Sequence, residues 1–135
     1  MSKASPDKSI AELLLQAAWQ DLAAARLLAT APGIGDAIVG FHLQQALEKS
    51  LKAVLSTHGI GFRRTNDLLW LLELLSENRL PSPPHAAWLD ELNPYAVEAR
   101  YGTIDPEGLD RTGALQTTAQ VVEWAAVHAS PRSAT

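Results

Sequence analysis

Phe41-His42-Leu43-Gln44-Gln45-Ala46-Leu47-Glu48-Lys49-Ser50-Leu51-Lys52-Ala53-Val54-Leu55 decides the fold. Val39, Leu43, Ala46, Leu47, Ser50, Leu51 and Val54 recur every three or four residues and so share one face of an α-helix. His42, Gln45, Lys49, Lys52 and Ser56 follow the same spacing on the other side, a polar ridge about three turns long. One face makes a core and the other can recognise something. Glu48 and Lys52 form a favourable i,i+4 pair, which by itself would mark a solvated helix face.

The flanking sequence extends this pattern into an all-α chain. Helix one is expected to start with Ser5 as N-cap and Pro6 in the first turn, and to end near Thr30, before Pro32-Gly33. Ile10, Leu13, Leu14, Ala17, Ala24, Ala25 and Leu28 are expected on its core side, with Asp21 among them needing a polar partner. Leu15, Trp19 and Leu22 form a second apolar strip, which implies another surface to cover and predicts a homodimer. Helix two should run from an N-cap at Asp36 to Gly59, and a basic loop follows to Arg64.

Thr65 or Asn66 is expected to cap a third helix from Asp67 to Ser76 or Glu77. Its leucines surround it almost completely and place it at the centre of the packing. After a proline-rich linker, His85 to Leu92 reads as a short helix. Asn93-Pro94 either caps a new helix or kinks the first. Asp105-Pro106 should open the last helix, with Leu115, Ala119, Val122 and Ala126 as its apolar stripe down to about His128. The expected fold is an antiparallel up-and-down four-helix bundle with an additional short or kinked helix, in one domain spanning 1–135 with its core at about 9–128.

Composition narrows the function classes. The chain has 135 residues, 47% hydrophobic and 19% charged, which suits one globular domain. There is no cysteine, hence no disulfide framework, thiolate nucleophile or thiolate metal site. No run of about 18 apolar residues occurs and Met1 to Pro6 lacks one too, so a cytoplasmic location without membrane association is expected. The formal net charge is −4, yet residues 37 to 66 hold Lys49, Lys52, Arg63 and Arg64 against Glu48 alone. A locally basic segment on an acidic chain suits a bounded anionic ligand better than a long duplex. His42, His58, His85 and His128 lack metal-ligand spacing, Gly33-Ile34-Gly35 lacks the rest of a phosphate loop, and no nucleophile elbow is present. Neither a metal nor another cofactor is expected.

His42-x-Gln44-Gln45-Ala46-x-Glu48-Lys49-x-Leu51-Lys52-Ala53, then Gly59, Thr65-Asn66-Asp67-Leu68, Leu92-Asn93-Pro94-Tyr95 and Arg100-Tyr101, resembles the HEPN family over about residues 9 to 128. The resemblance implies nucleotide or RNA association and a minimal nucleotidyltransferase as partner in a toxin–antitoxin-type pair. Some relatives are ribonucleases with an arginine and a histidine four to six residues apart. Here no histidine occupies 105 to 107 after Arg100, and three prolines separate Arg79 from His85. Asn66 also stands where many relatives have histidine, and Gly102 where they often have proline. His42, Gln45, Lys49, Lys52, Arg100 and Tyr101 are the leading ligand-binding candidates, with Asp21, Arg63, Arg64 and Tyr95 behind them. A ribonuclease toxin and a non-catalytic interaction module are the alternatives.

Overall fold

The structure, a computed structural model, describes residues 9–96 and 108–129. Among them are helices α1 (Ile10–Ala29), α2 (Asp36–Thr57), α3 (Leu68–Glu77) and α4 (Arg111–His128), a 3₁₀ segment Ala86–Ala96, and no strand. The all-α fold expected from the periodicity is present. Two polar links give the helix directions. Arg111, opening α4, donates to the Ala29 carbonyl at the end of α1, the Ile34 carbonyl and Asp36 at the start of α2. At the other end of the bundle Thr57, closing α2, donates to the Ala129 carbonyl beyond α4. Thus α1 runs against α2 and α4, which run parallel to each other.

The central element is α2, which touches every other one, whereas α3 packs against α2 and the 3₁₀ segment. The expectation of a central α3 fails because a ten-residue helix buries only Leu68, Leu71 and Leu75, leaving Leu69 exposed. By contrast α2 buries residues on several faces, including Gln44, Glu48 and Ser50. Gly40 lets the Tyr95 ring lie directly on the α2 backbone, since a Cβ there would come within 2.3 Å of the ring.

Helix ends differ from the expected ones where several residues compete to cap. Ser9, with Glu12, makes a capping box for α1, which begins at Ile10; Ser5 and Pro6, the expected start, lie outside the described residues. Gly35 is the N-cap of α2, while Asp36 occupies the first turn and binds Arg111. Asp67, not Thr65 or Asn66, caps α3 through the Leu69 N–H. Asn93 starts no new helix, and the 3₁₀ segment continues through Pro94. The Asn93 side chain accepts from the Leu68 N–H and donates to Asp67, completing the cap of α3 from 25 residues away. Asp110 caps α4, which begins at Arg111; Asp105 and Pro106, the expected opening, lie outside the described residues.

Two packing faces are also rotated from expectation. On α1 the buried residues are Ala11, Ala18, Leu22 and Ala25, whereas Ile10 and Leu13 are exposed. Leu22 therefore belongs to the core and not to a leftover strip; the apolar surface left outside consists of Ile10, Leu13 and Leu27, with Trp19 half covered on another flank. On α4 the core side is Ala114, Thr118, Val121, Val122 and Ala125, and Leu115, Ala119 and Ala126 only flank it. Both helices are rich in alanine, so neighbouring faces differ little in apolar character and tertiary contacts choose between them.

Candidate functional site on the polar face of helix two

The polar ridge splits into two hydrogen-bonded groups, each anchored by a carboxylate. In the first, Asp21 of α1 receives the Lys49 ammonium at 2.6 Å on one oxygen and His42 Nδ1 at 3.0 Å on the other. A carboxylate can only accept, which places the His42 proton on Nδ1 and leaves Nε2 as the remaining ring nitrogen. Asp21 thus has polar partners on the neighbouring helix and is largely covered, as a carboxylate on a packed face requires.

The second group is an amide relay. Gln44, fully buried, donates to the Asn66 backbone carbonyl at 2.8 Å. Gln45 Nε2 donates to Gln44 Oε1 at 2.9 Å and to Glu48 Oε1 at 3.2 Å, and Lys52 donates to Glu48 Oε2 at 2.7 Å. The acceptors at both ends fix the orientation of every amide between them. Glu48 and Lys52 are not a solvated surface pair: their side chains are only 11% and 12% exposed. The Phe62 ring, 5.6 Å from the Lys52 ammonium, helps to cover it. Removing either charge would leave its partner desolvated and unpaired.

This pairing changes the electrostatics expected of the ridge. Lys49 and Lys52 are each neutralised at contact distance, and Arg63 lies 4.4 Å from the Trp70 ring centroid. Arg64 is exposed and makes no ion pair within the described residues. It borders a cleft of about 500 Å³ whose wall also includes Phe41, Gln45, Glu48, Lys52 and Asn66. Gln45, Lys52 and Arg64 therefore come together at one opening, while His42 and Lys49 are held by Asp21. Tyr95 is 7% exposed, with its ring against Gly40, so it offers no open face there for base stacking. Arg100 and Tyr101 lie outside the described residues, as does Gly102.

The Arg79–His85 pair falls at the two edges of the proline-rich loop. Arg79 follows α3 and His85 precedes the 3₁₀ segment, both on left-handed backbone, and His85 Nε2 is bonded to Gln120 of α4. Among the described residues no three His, Asp or Glu side chains cluster as metal ligands. No helix there is long and apolar enough to cross a membrane.

Gln44 and Arg111 were the polar residues that periodicity did not single out as candidates. Gln44 lies between the two helical faces and is buried only because the Asn66 loop folds over it. Arg111 stands at a helix start, where sequence alone shows no reason for a cation.

The chain matches the HEPN domain model over residues 11–128. The crystal structure of an archaeal HEPN homologue superposes with a TM-score of 0.65 at 22% identity, covering 92% of this chain and 100% of the other. No curated protein matches. A family model spanning nearly the whole described bundle, together with the same fold in that homologue, places the chain in the HEPN domain family.

Proposed function

We propose that this chain is a nucleotide- or RNA-associated HEPN protein that acts as a homodimer with a minimal nucleotidyltransferase partner in a toxin–antitoxin-type pair. The observation that carries the reading is the oriented amide relay on α2 beside a cleft bordered by the unpaired Arg64. Gln45, held in one orientation at the cleft wall by the buried Gln44 and by Glu48, is suited to reading a hydrogen-bonding edge, and a guanidinium at the rim is suited to phosphate. The homodimer is supported by the exposed Ile10, Leu13 and Leu27 on α1, apolar side chains that the intramolecular core leaves outside.

The chain binds its ligand without cutting it. A hydrolytic step needs an acid or base free to move a proton beside a phosphate-binding cation. Neither His42 nor His85 lines the Arg64 cleft, and His85 is bonded through Nε2 to Gln120 of α4. Co-expression with the neighbouring gene product tests the partnership: a nucleotidyltransferase that co-purifies supports it, and an unrelated neighbour with no co-purifying nucleotidyltransferase refutes it. Incubation of the purified chain with RNA should leave the RNA intact. Cleavage abolished by Arg79→Ala or His85→Ala would replace this reading with a ribonuclease.

A further inference from the structure

We infer that α1 pairs in antiparallel order with α1 of a second copy of this chain, with Ile10, Leu13, Ala17, Gln20, Ala24 and Leu27 as the seam. The inference rests on the homodimer reading above and specifies its surface, direction and register.

Spacing defines the seam. The six positions are separated by three, four, three, four and three residues, the repeat of helices that wrap round one another. None of them belongs to the intramolecular core: Ile10, Leu13, Gln20 and Leu27 are exposed, and Ala17 and Ala24 are half-buried. The core side of α1, made by Ala11, Ala18, Leu22 and Ala25, faces roughly the opposite way. From Ile10 to Leu27 the seam is about 26 Å long. A helix pair of that length alone covers less than the roughly 800 Å² per partner of a standard interface. Ile38, 45% exposed and one turn before His42 on the α2 edge next to α1, widens it, and the dimer is one of micromolar affinity rather than an obligate pair.

Self-complementarity determines the partner and the direction. The seam reads symmetrically about the level between Ala18 and Trp19, so one two-fold axis there brings every seam position onto another at once. Ile10 then meets Leu27 of the partner subunit, Leu13 meets Ala24 of the partner subunit and Ala17 meets Gln20 of the partner subunit. In the four middle layers a larger side chain faces an alanine, which keeps the helix axes evenly spaced. A parallel pair would instead set Leu13 on its own copy and each alanine on its own, alternately too wide and too narrow. Charge agrees with a copy of the same surface: residues 13–20 carry none, so no like charges meet across the axis, and Asp21 beside the seam is already paired with Lys49 and His42. Among the described residues none from α1 lines the Arg64 cleft, so both clefts of the pair stay open.

The chain has no cysteine, so an introduced one reports a single contact. Leu13→Cys and Ala24→Cys chains are oxidised separately and after mixing at high micromolar concentration, and covalent dimers are read by denaturing electrophoresis. The two positions lie about 16 Å apart along the helix, so each is out of reach of its own copy in the antiparallel pair. Only the mixture should cross-link; Leu13→Cys bonding to itself would overturn the inference in favour of a parallel pair. Sedimentation of Leu13→Glu/Leu27→Glu, altered at two exposed positions and checked for unchanged helical circular dichroism, should show a dimer dissociation constant raised at least about tenfold. A dimer indifferent to the glutamates, with no cross-link in the mixture, would overturn the inference and leave a homodimer through another surface. A parent chain that sediments as a monomer at high micromolar concentration would remove both. A monomer whose co-purifying nucleotidyltransferase is lost in the glutamate variant would also overturn it, by giving the seam to a different protein.

Discussion

Replacing Gly40 by alanine sets two effects of opposite sign against each other. Gly40 lies inside α2, where alanine is favoured over glycine by about 1 kcal/mol. The new Cβ, however, would lie 2.3 Å from Cδ1 and 2.6 Å from Cγ of Tyr95. Cγ is next to the Tyr95 backbone, so the ring cannot clear the methyl group by a small tip rotation. Either the ring leaves its site or the end of the 3₁₀ segment lifts. Losing a buried aromatic side chain from its packing costs about 3–5 kcal/mol, which outweighs the helix gain. Net destabilisation of about 2–4 kcal/mol is expected, lowering the urea midpoint by roughly 1–2 M for a slope of about 2 kcal/mol/M. The decisive control is Tyr95→Ala: in that background Gly40→Ala should become neutral or stabilising by up to about 1 kcal/mol. If Gly40→Ala is as stable as the parent with Tyr95 present, the close packing of α2 on the 3₁₀ segment is wrong.

Three further substitutions probe the links that place the site. Asp21→Ala should destabilise the fold by about 1–3 kcal/mol in denaturant titration, because it strips both His42 and Lys49 of their acceptor. Arg111→Lys should lower the melting temperature measurably, since one ammonium cannot reproduce the planar fork that reaches Asp36, Ala29 and Ile34 together. Arg79→Gly should stabilise by about 1 kcal/mol, as Arg79 holds a left-handed φ of 58° in the hydrogen-bonded turn that ends α3.

Helix α2 and its division into core and polar faces were legible because both patterns lie within one segment and follow the helical period. The exchange of partners along the polar face was not. Glu48 at four residues from Lys52 has the spacing of any surface pair, and only the fold of residues 60–66 over α2 removes it from water. Lys49 looked like a free cation because Asp21 is 28 residues away. Asn93-Pro94 has the local form of a helix start, yet its amide serves α3 across the fold. At α1 the sequence did contain the decisive signal: Ser9 with Glu12 three residues later is a capping box, and Ser5-Pro6 competed with it. Arg64 ranked low from sequence since nothing local separated it from Arg63, which lies over the Trp70 ring and does not line the cleft.

The central claim, that the polar face of α2 serves nucleotide recognition, is tested most directly by fluorescence anisotropy with labelled AMP and a labelled short RNA over a range of salt concentrations. The account predicts saturable binding of at least one probe, with affinity that falls as salt rises, as attraction between the exposed Arg64 guanidinium and a phosphate requires. Absence of saturable binding to either probe, or affinity for AMP that is indifferent both to salt and to Arg64→Ala, would contradict it.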